Sequence, residues 1–220
     1  MRMKLIKFKR YRDYVNAQRQ TAEEHQGGPY FNVHEINRVC DWIRGHERRL
    51  GRVPRRIKSG VCHGARHGAE CDEFKKHFTN LEMFGTDLFP NFGRTAVDVS
   101  KIESKVIKHD FSARKLEWVG NFDLIYSNSL DHARNPKSTL QVWFEQLKPD
   151  GYLVIQWAKG CRTLKGGDCF AGHLDEWIEM IHGIGEVKEV LFCWTERIRS
   201  DPLRRRAQDA IDIICQGKAE

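Results

Sequence analysis

Two acidic residues and a glycine-rich stretch follow one another at intervals typical of a nucleoside site. The stretch Gly60–Gly68 contains glycines at 60, 64 and 68, which permit a tight turn and a close approach of the backbone to a ligand. Asp87 comes about twenty residues later, where a carboxylate can accept hydrogen bonds from both hydroxyls of a ribose. Asp110 and Phe111 offer an acceptor for an exocyclic amine and a ring for the face of an adenine. Together these residues predict a site for an adenosine-type ligand.

A second group, Asp131 and His132, could perform acid–base chemistry. Histidine side chains titrate near neutral pH and can take a proton from a substrate, while Asp131 could be the base itself or orient it. The alternative is a capping aspartate and a partly exposed histidine before the next helix. His173 and Asp175 are weaker candidates for lining the same pocket.

The residue types near the glycine stretch also suggest a zinc site. The four residues concerned are Cys62, His63, His67 and Cys71. His67 and Cys71, however, continue the apolar stripe of Phe74 and Phe78, so we expect them to face the core. We therefore predict no metal among the site residues.

The elements that position these residues alternate between strand and helix from residue 55 onward. The predicted strands are Arg56–Cys62, Leu81–Thr86, Lys105–His109, Phe122–Ser127 and Gly151–Trp157. The predicted helices are Ala65–Phe78, Thr95–Glu103, Ser112–Trp118, Pro136–Leu147 and His173–Ile184. Val187–Thr195 and Ala207–Gln216 are expected to close the sheet as an antiparallel hairpin. This alternation predicts an α/β fold, a mainly parallel sheet with helices on both faces, and ligands beyond the carboxyl ends of its strands.

These features resemble the class I S-adenosylmethionine-dependent methyltransferases over residues 55–220. The most specific element is Phe122–Asn128 followed by Leu147–Ile155, which is similar to the fourth strand, the helix and the leucine-lysine-proline-glycine-glycine turn of that family. Asp150 replaces the first glycine of the turn. The resemblance implies a Rossmann-like methyltransferase fold, in which a mostly parallel seven-stranded sheet has an antiparallel last strand. It also implies S-adenosylmethionine as cofactor, with S-adenosylhomocysteine as its product.

The same resemblance implies which residues hold the cofactor. They are Cys62, His63, Gly64, Arg66, Asp87, Leu88, Asp110, Phe111, Ser127 and Asn128. The glycine stretch departs from the acid-x-Gly-x-Gly-x-Gly pattern of the family, since Ser59 or Gly60 lies where the acid is expected, so the usual partner of the methionine amino group is missing. Arg66 and His63 could instead meet the methionine carboxylate, although a helix N-terminus alone can also bind it.

The resemblance places the loop after the fourth strand beside the transferable methyl group, so Asp131 and His132 would deprotonate the acceptor. The segment Asn128–Asp131 lacks the Asn/Asp-Pro-Pro-aromatic pattern of enzymes that methylate DNA bases. One group of ribose-methylating enzymes needs an acid near Asn128 and a lysine near Gln156, and both positions are substituted here. We therefore predict O-methylation of a small-molecule or glycan hydroxyl.

The positive charge of the chain is concentrated near its beginning. The net charge is +7, and residues 1–58 contain 15 basic and 6 acidic residues. Such a segment could attract nucleic acid, anionic lipid or an acidic substrate. We expect residues 1–54 to be a small N-terminal helical extension that caps the active site of a domain spanning residues 55–220.

Two alternatives remain open from the sequence. One is an RNA-directed methyltransferase that docks RNA on basic residues, namely Arg48, Arg49, Arg52, Arg55 and Arg56. The other is a non-catalytic binding subunit with the same fold, since the glycine stretch is altered.

Composition favours a cytoplasmic protein without a membrane span. The longest aliphatic and aromatic run is Tyr152–Ile155, whereas a spanning helix needs roughly twenty apolar residues. The basic segment Met1–Lys7 lacks the apolar stretch of a secretory signal. The seven cysteines are an odd number without a Cys-x-x-Cys pair, which is typical of reduced thiols.

Overall fold

The structure is a computed structural model, and it describes residues 3–24, 31, 33–52, 56–90, 101–164, 167–193 and 210–217. Its helices are α1 (Tyr11–Glu24), α2 (Val33–Arg49), α3 (Ala69–His77), α4 (Pro136–Gln146) and α5 (Leu174–His182). Its strands are β1 (Lys4–Leu5), β2 (Ser59–His63), β3 (Glu82–Asp87), β4 (Val106–Lys108), β5 (Phe122–Ser127), β6 (Leu147–Ala158), β7 (Phe170–Ala171), β8 (Gly185–Cys193) and β9 (Ala210–Gly217). Short 3₁₀ turns cover Leu116–Trp118, Leu130–His132 and Lys159–Arg162.

Seven strands form one sheet in the order β4-β3-β2-β5-β6-β9-β8. The five strands from β4 to β6 are parallel, and β9 runs antiparallel to both of its neighbours, β6 and β8. The predicted Rossmann-like fold, with its antiparallel last strand and closing hairpin, is therefore confirmed. β1 and β7 pair separately as a two-stranded antiparallel sheet.

The strand order reverses between β2 and β5. The chain runs from β2 outward through β3 to β4, and then returns to the other side of β2 with β5. A crevice opens at such a reversal, beyond the carboxyl ends of the strands, because the connections on the two sides leave in opposite directions. The glycine stretch and the loop after β5 therefore meet at this crevice.

Two apolar layers hold the sheet. On one face, Trp143 of α4 and Trp177 of α5 are fully buried against β5 and β6. On the other face, α2 and α3 pack side by side, with Ile43 and Phe74 fully buried. The helix α2 thus shares the core of the sheet instead of lying over its carboxyl edge.

Several boundaries differ from the predictions. The helix α3 begins at Ala69 and not at Ala65, because the intervening residues form a turn. The predicted helix at Ser112–Trp118 is only a 3₁₀ turn at its end. The predicted helix Thr95–Glu103 lies mostly outside the described residues, as does the segment between β8 and β9.

No helix in the described ranges combines the length and the apolarity needed to cross a membrane. The cysteines whose side chains are described are all buried and free, namely Cys40, Cys62, Cys71, Cys161, Cys169 and Cys215.

Candidate cofactor and acceptor site

The glycine stretch forms a turn that contacts the end of β3 and the loop after β5, the two strands on either side of β2. Gly64, Arg66 and Gly68 have φ angles of 79°, 40° and 85°, in the left-handed region that favours glycine. The N–H of Gly64 donates to the carbonyl of Thr86 at 2.8 Å. A Cβ on Gly64 would lie 2.5 Å from the side chain of Ser129, so the turn and the loop after β5 approach each other as closely as a glycine allows.

Asp87 anchors this turn from the end of β3. Its Oδ2 accepts the backbone N–H of Arg66 at 3.2 Å, and its Oδ1 accepts that of Phe89 at 2.7 Å. Each carboxylate oxygen can accept a second hydrogen bond, so Asp87 keeps acceptor capacity for a ligand. Leu88 is partly buried beside it.

Asp110 follows β4 and is bound by the first helix. Its Oδ1 accepts the N–H of Ser112 at 2.9 Å, and its Oδ2 accepts the hydroxyl of Tyr11 from α1 at 2.8 Å. Burial, together with the hydrogen bond to Asp110, raises the pKa of Tyr11 to about 12, so this hydroxyl remains a donor. The ring of Phe111 is only 6% exposed and packs on Trp143, so it supports the strand end from the core and does not lie open at the site.

His63 and Cys62 differ from their predicted roles. His63 is fully buried, and its two ring nitrogens bond to Thr86 Oγ1 and Gln146 Oε1, both at 2.9 Å. Burial lowers the pKa of His63 to about 3, so it is a neutral core residue that cannot meet a carboxylate as a cation. The Cys62 side chain is also fully buried, which leaves only its backbone near the turn. Since both nitrogens of His63 are engaged, the suggested zinc set lacks one of its ligands.

Ser127 and Asn128 organise the loop after β5. The Ser127 hydroxyl is buried, donates to the carbonyl of His63 at 2.9 Å and accepts the N–H of Ser129 at 3.1 Å. The Asn128 Oδ1 accepts the Ser129 hydroxyl at 3.0 Å. These bonds hold the loop against the end of β2.

Glu70 is a site residue that the sequence analysis missed. It is the second residue of α3 and only 5% exposed, and its carboxyl group lies close enough to the Asn128 side chain and to the charges of Asp87 and Arg66 for all three to affect its pKa. The one signal in the sequence is its position directly after the glycine stretch, in the first turn of the predicted helix.

Asp131 and His132 lie in the 3₁₀ turn after β5, and both are partly buried. The Nδ1 of His132 lies 3.3 Å from the carbonyl oxygen of Gly167, which can only accept, so in the neutral imidazole Nδ1 carries the proton and Nε2 the lone pair. Nε2 is 4.0 Å from Oδ1 of Asp131. Ligand atoms of Asp131, His132 and Asp168 lie within 4.8 Å of one another, so this group could also hold a metal ion.

The helix α1 lies along the same edge of the sheet. The Gln18 side chain donates to the carbonyl of Gly167 at 2.7 Å and contacts the Cys169 sulfur at 3.3 Å. The guanidinium of Arg19 lies 5.4 Å from the centre of the Phe89 ring. Tyr14 is 1% exposed, and burial raises its pKa, with Asp110 adding to the rise.

The weaker acceptor-pocket candidates have other tasks. His173 is the N-cap of α5, and its backbone N–H donates to the Glu176 carboxylate at 2.8 Å. Asp175 is exposed in the first turn of the same helix.

Two of the basic residues named for RNA docking, Arg52 and Arg56, lie at the opposite edge of the sheet. Arg52 and Arg56 form ion pairs with Asp150 at 3.1 and 3.4 Å, and Asp150 lies near the amino end of β6. Arg56 also donates to the carbonyl of Pro149 at 3.0 Å. An RNA bound there would face the edge away from Asp87 and Asp110. Arg55 lies outside the described residues.

Comparison with known proteins gives a match to one protein family. A family model described as a methyltransferase domain matches residues 61–155, which include the glycine turn, Asp87, Asp110 and Asp131. A sequence comparison with curated proteins gives no match.

Several solved structures share the fold at low sequence identity. The 1,6-didemethyltoxoflavin-N1-methyltransferase of Burkholderia thailandensis, solved with bound 1,6-didemethyltoxoflavin and S-adenosylhomocysteine, is 12% identical with a TM-score of 0.65, covering 99% of this chain and 95% of that one. The N-methyltransferase NodS of Bradyrhizobium japonicum WM9, in complex with S-adenosyl-L-homocysteine, is 16% identical with a TM-score of 0.59, covering 94% and 98%. An S-adenosylmethionine-dependent methyltransferase of Clostridium acetobutylicum ATCC 824 is 9% identical with a TM-score of 0.57, covering 95% and 99%.

Proposed function

We propose that this chain is a class I S-adenosylmethionine-dependent methyltransferase and that it transfers the methyl group of its cofactor to a hydroxyl of a small molecule or saccharide. The observation that carries the base assignment is the orientation of His132, whose Nδ1 lies 3.3 Å from the Gly167 carbonyl oxygen. This orientation leaves Nε2 as a proton acceptor at the carboxyl edge of the sheet. Asp131 and His132 are therefore the proposed catalytic pair.

The residues at the strand ends suit the cofactor. Asp87 has acceptor capacity for the ribose hydroxyls, and Asp110 for the amino group of the adenine. The turn at Gly64 and Gly68 has no room for side chains, so its backbone can lie close to a ligand. When bound, S-adenosylmethionine supplies a methyl group on a positively charged sulfur, which makes that carbon electrophilic.

The chain contributes positioning and one proton transfer. The turn at Leu130–His132 holds the acceptor side of the site, and holding two reactants in line supplies much of the rate enhancement in such a displacement. Nε2 of His132 takes the hydroxyl proton as the oxygen attacks. The Asp131 carboxylate, 4.0 Å from Nε2, then stabilises the imidazolium by its charge.

The helix α1 is the proposed cover of the site. Its side chains Tyr11 and Gln18 bind the Asp110 carboxylate and the Gly167 carbonyl, which belong to the cofactor and acceptor sides respectively. A cover that binds both sides can exclude water from the reacting atoms.

A nitrogen acceptor is the second candidate. The similar Burkholderia enzyme is an N1-methyltransferase, and the similar Bradyrhizobium enzyme is an N-methyltransferase. The same lone pair on His132 Nε2 could take a proton from a ring N–H. An RNA acceptor is less favoured, because Arg52 and Arg56 lie at the opposite edge of the sheet and are paired with Asp150.

A methyl-transfer screen tests the proposal. Sugars, nucleotide sugars, hydroxylated small molecules, N–H heterocycles and RNA would be offered with S-adenosylmethionine, and products identified by mass spectrometry. With an accepted substrate, His132→Asn should lower turnover by about 100- to 10,000-fold while S-adenosylhomocysteine binding stays unchanged. His182→Asn, at the exposed end of α5, is the matched control and should keep full turnover.

Two results would contradict the base assignment. Undiminished turnover in His132→Asn would show that His132 is not the base. Loss of activity in EDTA, restored by a divalent cation, would instead assign Asp131, His132 and Asp168 to a metal ion.

A further inference from the structure

Glu70 is a buried carboxyl group that follows the glycine stretch directly. It lies in the first turn of α3, and its side chain reaches Asn128 after β5 while remaining close to Asp87 at the end of β3. It is 5% exposed. A carboxyl group buried to this extent is costly to ionise unless a cation pairs with it.

The order of the strands indicates which part of the cofactor reaches Glu70. Asp110 and Asp87 follow β4 and β3, so a nucleoside held by them lies over these two strands. The next strands in the sheet are β2 and β5. The amino-acid end of a cofactor bound in this way would therefore reach the ends of β2 and β5, close to Glu70 and Asn128.

That end of S-adenosylmethionine carries an α-ammonium group, which needs an acceptor once it leaves water. The end of β2 offers no carboxylate, because its residues are Ser59, Gly60, Val61, Cys62 and His63, and His63 is neutral with both ring nitrogens engaged. We propose that the Glu70 carboxylate accepts the ammonium group of the cofactor's methionine part. The first turn of α3 thus supplies the acid that the end of β2 lacks, and this inference rests on the proposed cofactor use.

The surroundings of Glu70 couple this contact to a proton. Burial raises the pKa of Glu70 to about 7, and Asp87 adds to the rise, while its own backbone N–H, the Asn128 side chain and Arg66 act in the opposite direction. Tyr126 and Cys62 also lie near enough to be affected by its charge, and burial keeps both protonated by raising their pKa values. An ammonium group favours the ionised carboxyl, so it lowers the pKa of Glu70. Cofactor binding near pH 6.5 should therefore release a proton, and affinity should rise as the pH increases from 5.5 to 7.5.

Calorimetry with S-adenosylhomocysteine tests the inference. Titrations in PIPES and in imidazole, whose ionisation enthalpies differ, give the number of protons released. Glu70→Gln should weaken binding about tenfold or more at pH 7.5 and abolish the proton release. Glu73→Gln is the matched control, because Glu73 lies one turn further on α3, is also buried and pairs with Lys76 at 2.6 Å. Glu73→Gln should leave both the affinity for S-adenosylhomocysteine and the number of released protons unchanged.

A ligand without the amino group isolates the contact. The probe is 5′-S-(3-carboxypropyl)-5′-thioadenosine, which is S-adenosylhomocysteine without its ammonium. Wild type and Glu70→Gln should bind this probe equally well, and binding to wild type should release no proton from Glu70. If Glu70→Gln does not fold, the two ligands can still be compared on wild type between pH 5.5 and 7.5. Only S-adenosylhomocysteine, which has the ammonium group, should then release a proton on binding.

The outcomes separate this inference from the proposed function. Failure of wild type to bind S-adenosylhomocysteine would overturn the cofactor assignment itself. Binding with the same affinity in wild type and Glu70→Gln, or proton release that is equal for both ligands, would overturn the role of Glu70 and leave the cofactor assignment standing.

Discussion

Asp87 has two tasks that act together. Its two carboxylate oxygens accept the backbone N–H groups of Arg66 and Phe89, and so set the shape of the glycine turn. The same oxygens are the proposed acceptors for the ribose. A substitution at Asp87 therefore disturbs both the turn and the direct contact with the ligand.

Asp87→Asn should weaken S-adenosylhomocysteine binding by about ten- to a hundredfold, since hydrogen bonds to a charged group contribute about 1.5–3 kcal/mol. The measurement is calorimetry at constant pH and salt. Asp72→Asn is the matched control, because Asp72 also accepts a loop N–H, that of Glu103 at 2.8 Å, but lies on α3 away from the crevice. Equal affinity in the two variants would contradict a ribose contact by Asp87.

The residues that the sequence analysis identified at strand ends share a local signal. Asp87 is the last residue of β3 and Asp110 comes two residues after β4, and the direction of a parallel strand determines which edge of the sheet its end occupies. His63 has no such signal, because its burial depends on Gln146 and Trp143, which lie far away in the chain. Glu70 was missed for the same reason: Asn128, which faces it, belongs to another strand end.

At the scale of elements, α1 and the acceptor loop share one carbonyl group. The Gly167 oxygen accepts both the Gln18 side chain of α1 and the Nδ1 proton of His132. The position of the proposed cover is thus connected to the orientation of the proposed base. This contact could not be read from the polar pattern of α1, which lacks a clean apolar stripe.

Gln18→Ala should loosen α1. Loss of a hydrogen bond worth about 1 kcal/mol predicts about fivefold faster amide exchange across the helix, together with lower methyl transfer. Gln20→Ala is the matched control, because the Gln20 amide donates to Glu24 at 2.8 Å within the same helix. Hydrogen exchange followed by mass spectrometry measures the effect, and equal exchange in the two variants would argue against α1 as a cover tied through Gly167.

The elements differ in how well the sequence predicts their bounds. β5 has its predicted bounds, because every one of its residues is buried and most of them are apolar. α3 begins four residues later than predicted, at Ala69, because Arg66 and Gly68 adopt positive φ angles that a helix cannot contain. Apolar spacing alone does not reveal such a turn.

The molecule as a whole contains an acidic group inside the layer between its sheet and α2. Asp212 of β9 is 1% exposed and lies opposite Gln156 of β6, whose amide donates to the Glu35 carboxylate of α2 at 2.5 Å. Among the described residues, Asp212 Oδ1 has no hydrogen-bond partner. Burial raises the pKa of Asp212 to about 8, Glu35 adds to the rise, and Arg38 opposes it.

This group should make the whole fold less stable at alkaline pH. Asp212 is protonated in the folded chain below about pH 8, whereas an unfolded aspartate loses its proton near pH 4. The unfolded state therefore binds fewer protons between these values, so the free energy of unfolding falls as the pH rises, by about 1.4 kcal/mol per pKa unit. The stabilising contribution is fully present below about pH 4 and is lost as the pH rises through about 8.

Asp212→Asn removes the titrating group but keeps its shape. Its free energy of unfolding should fall less than that of wild type between pH 5 and pH 8.5, and at pH 8.5 the variant should be the more stable of the two by several kcal/mol. Guanidinium unfolding at pH 5, 6.5 and 8.5 measures this, with the exposed Asp175→Asn as control. Parallel pH profiles for wild type and Asp212→Asn would mean that Asp212 does not hold a proton in the folded protein, and would require a cation to face it.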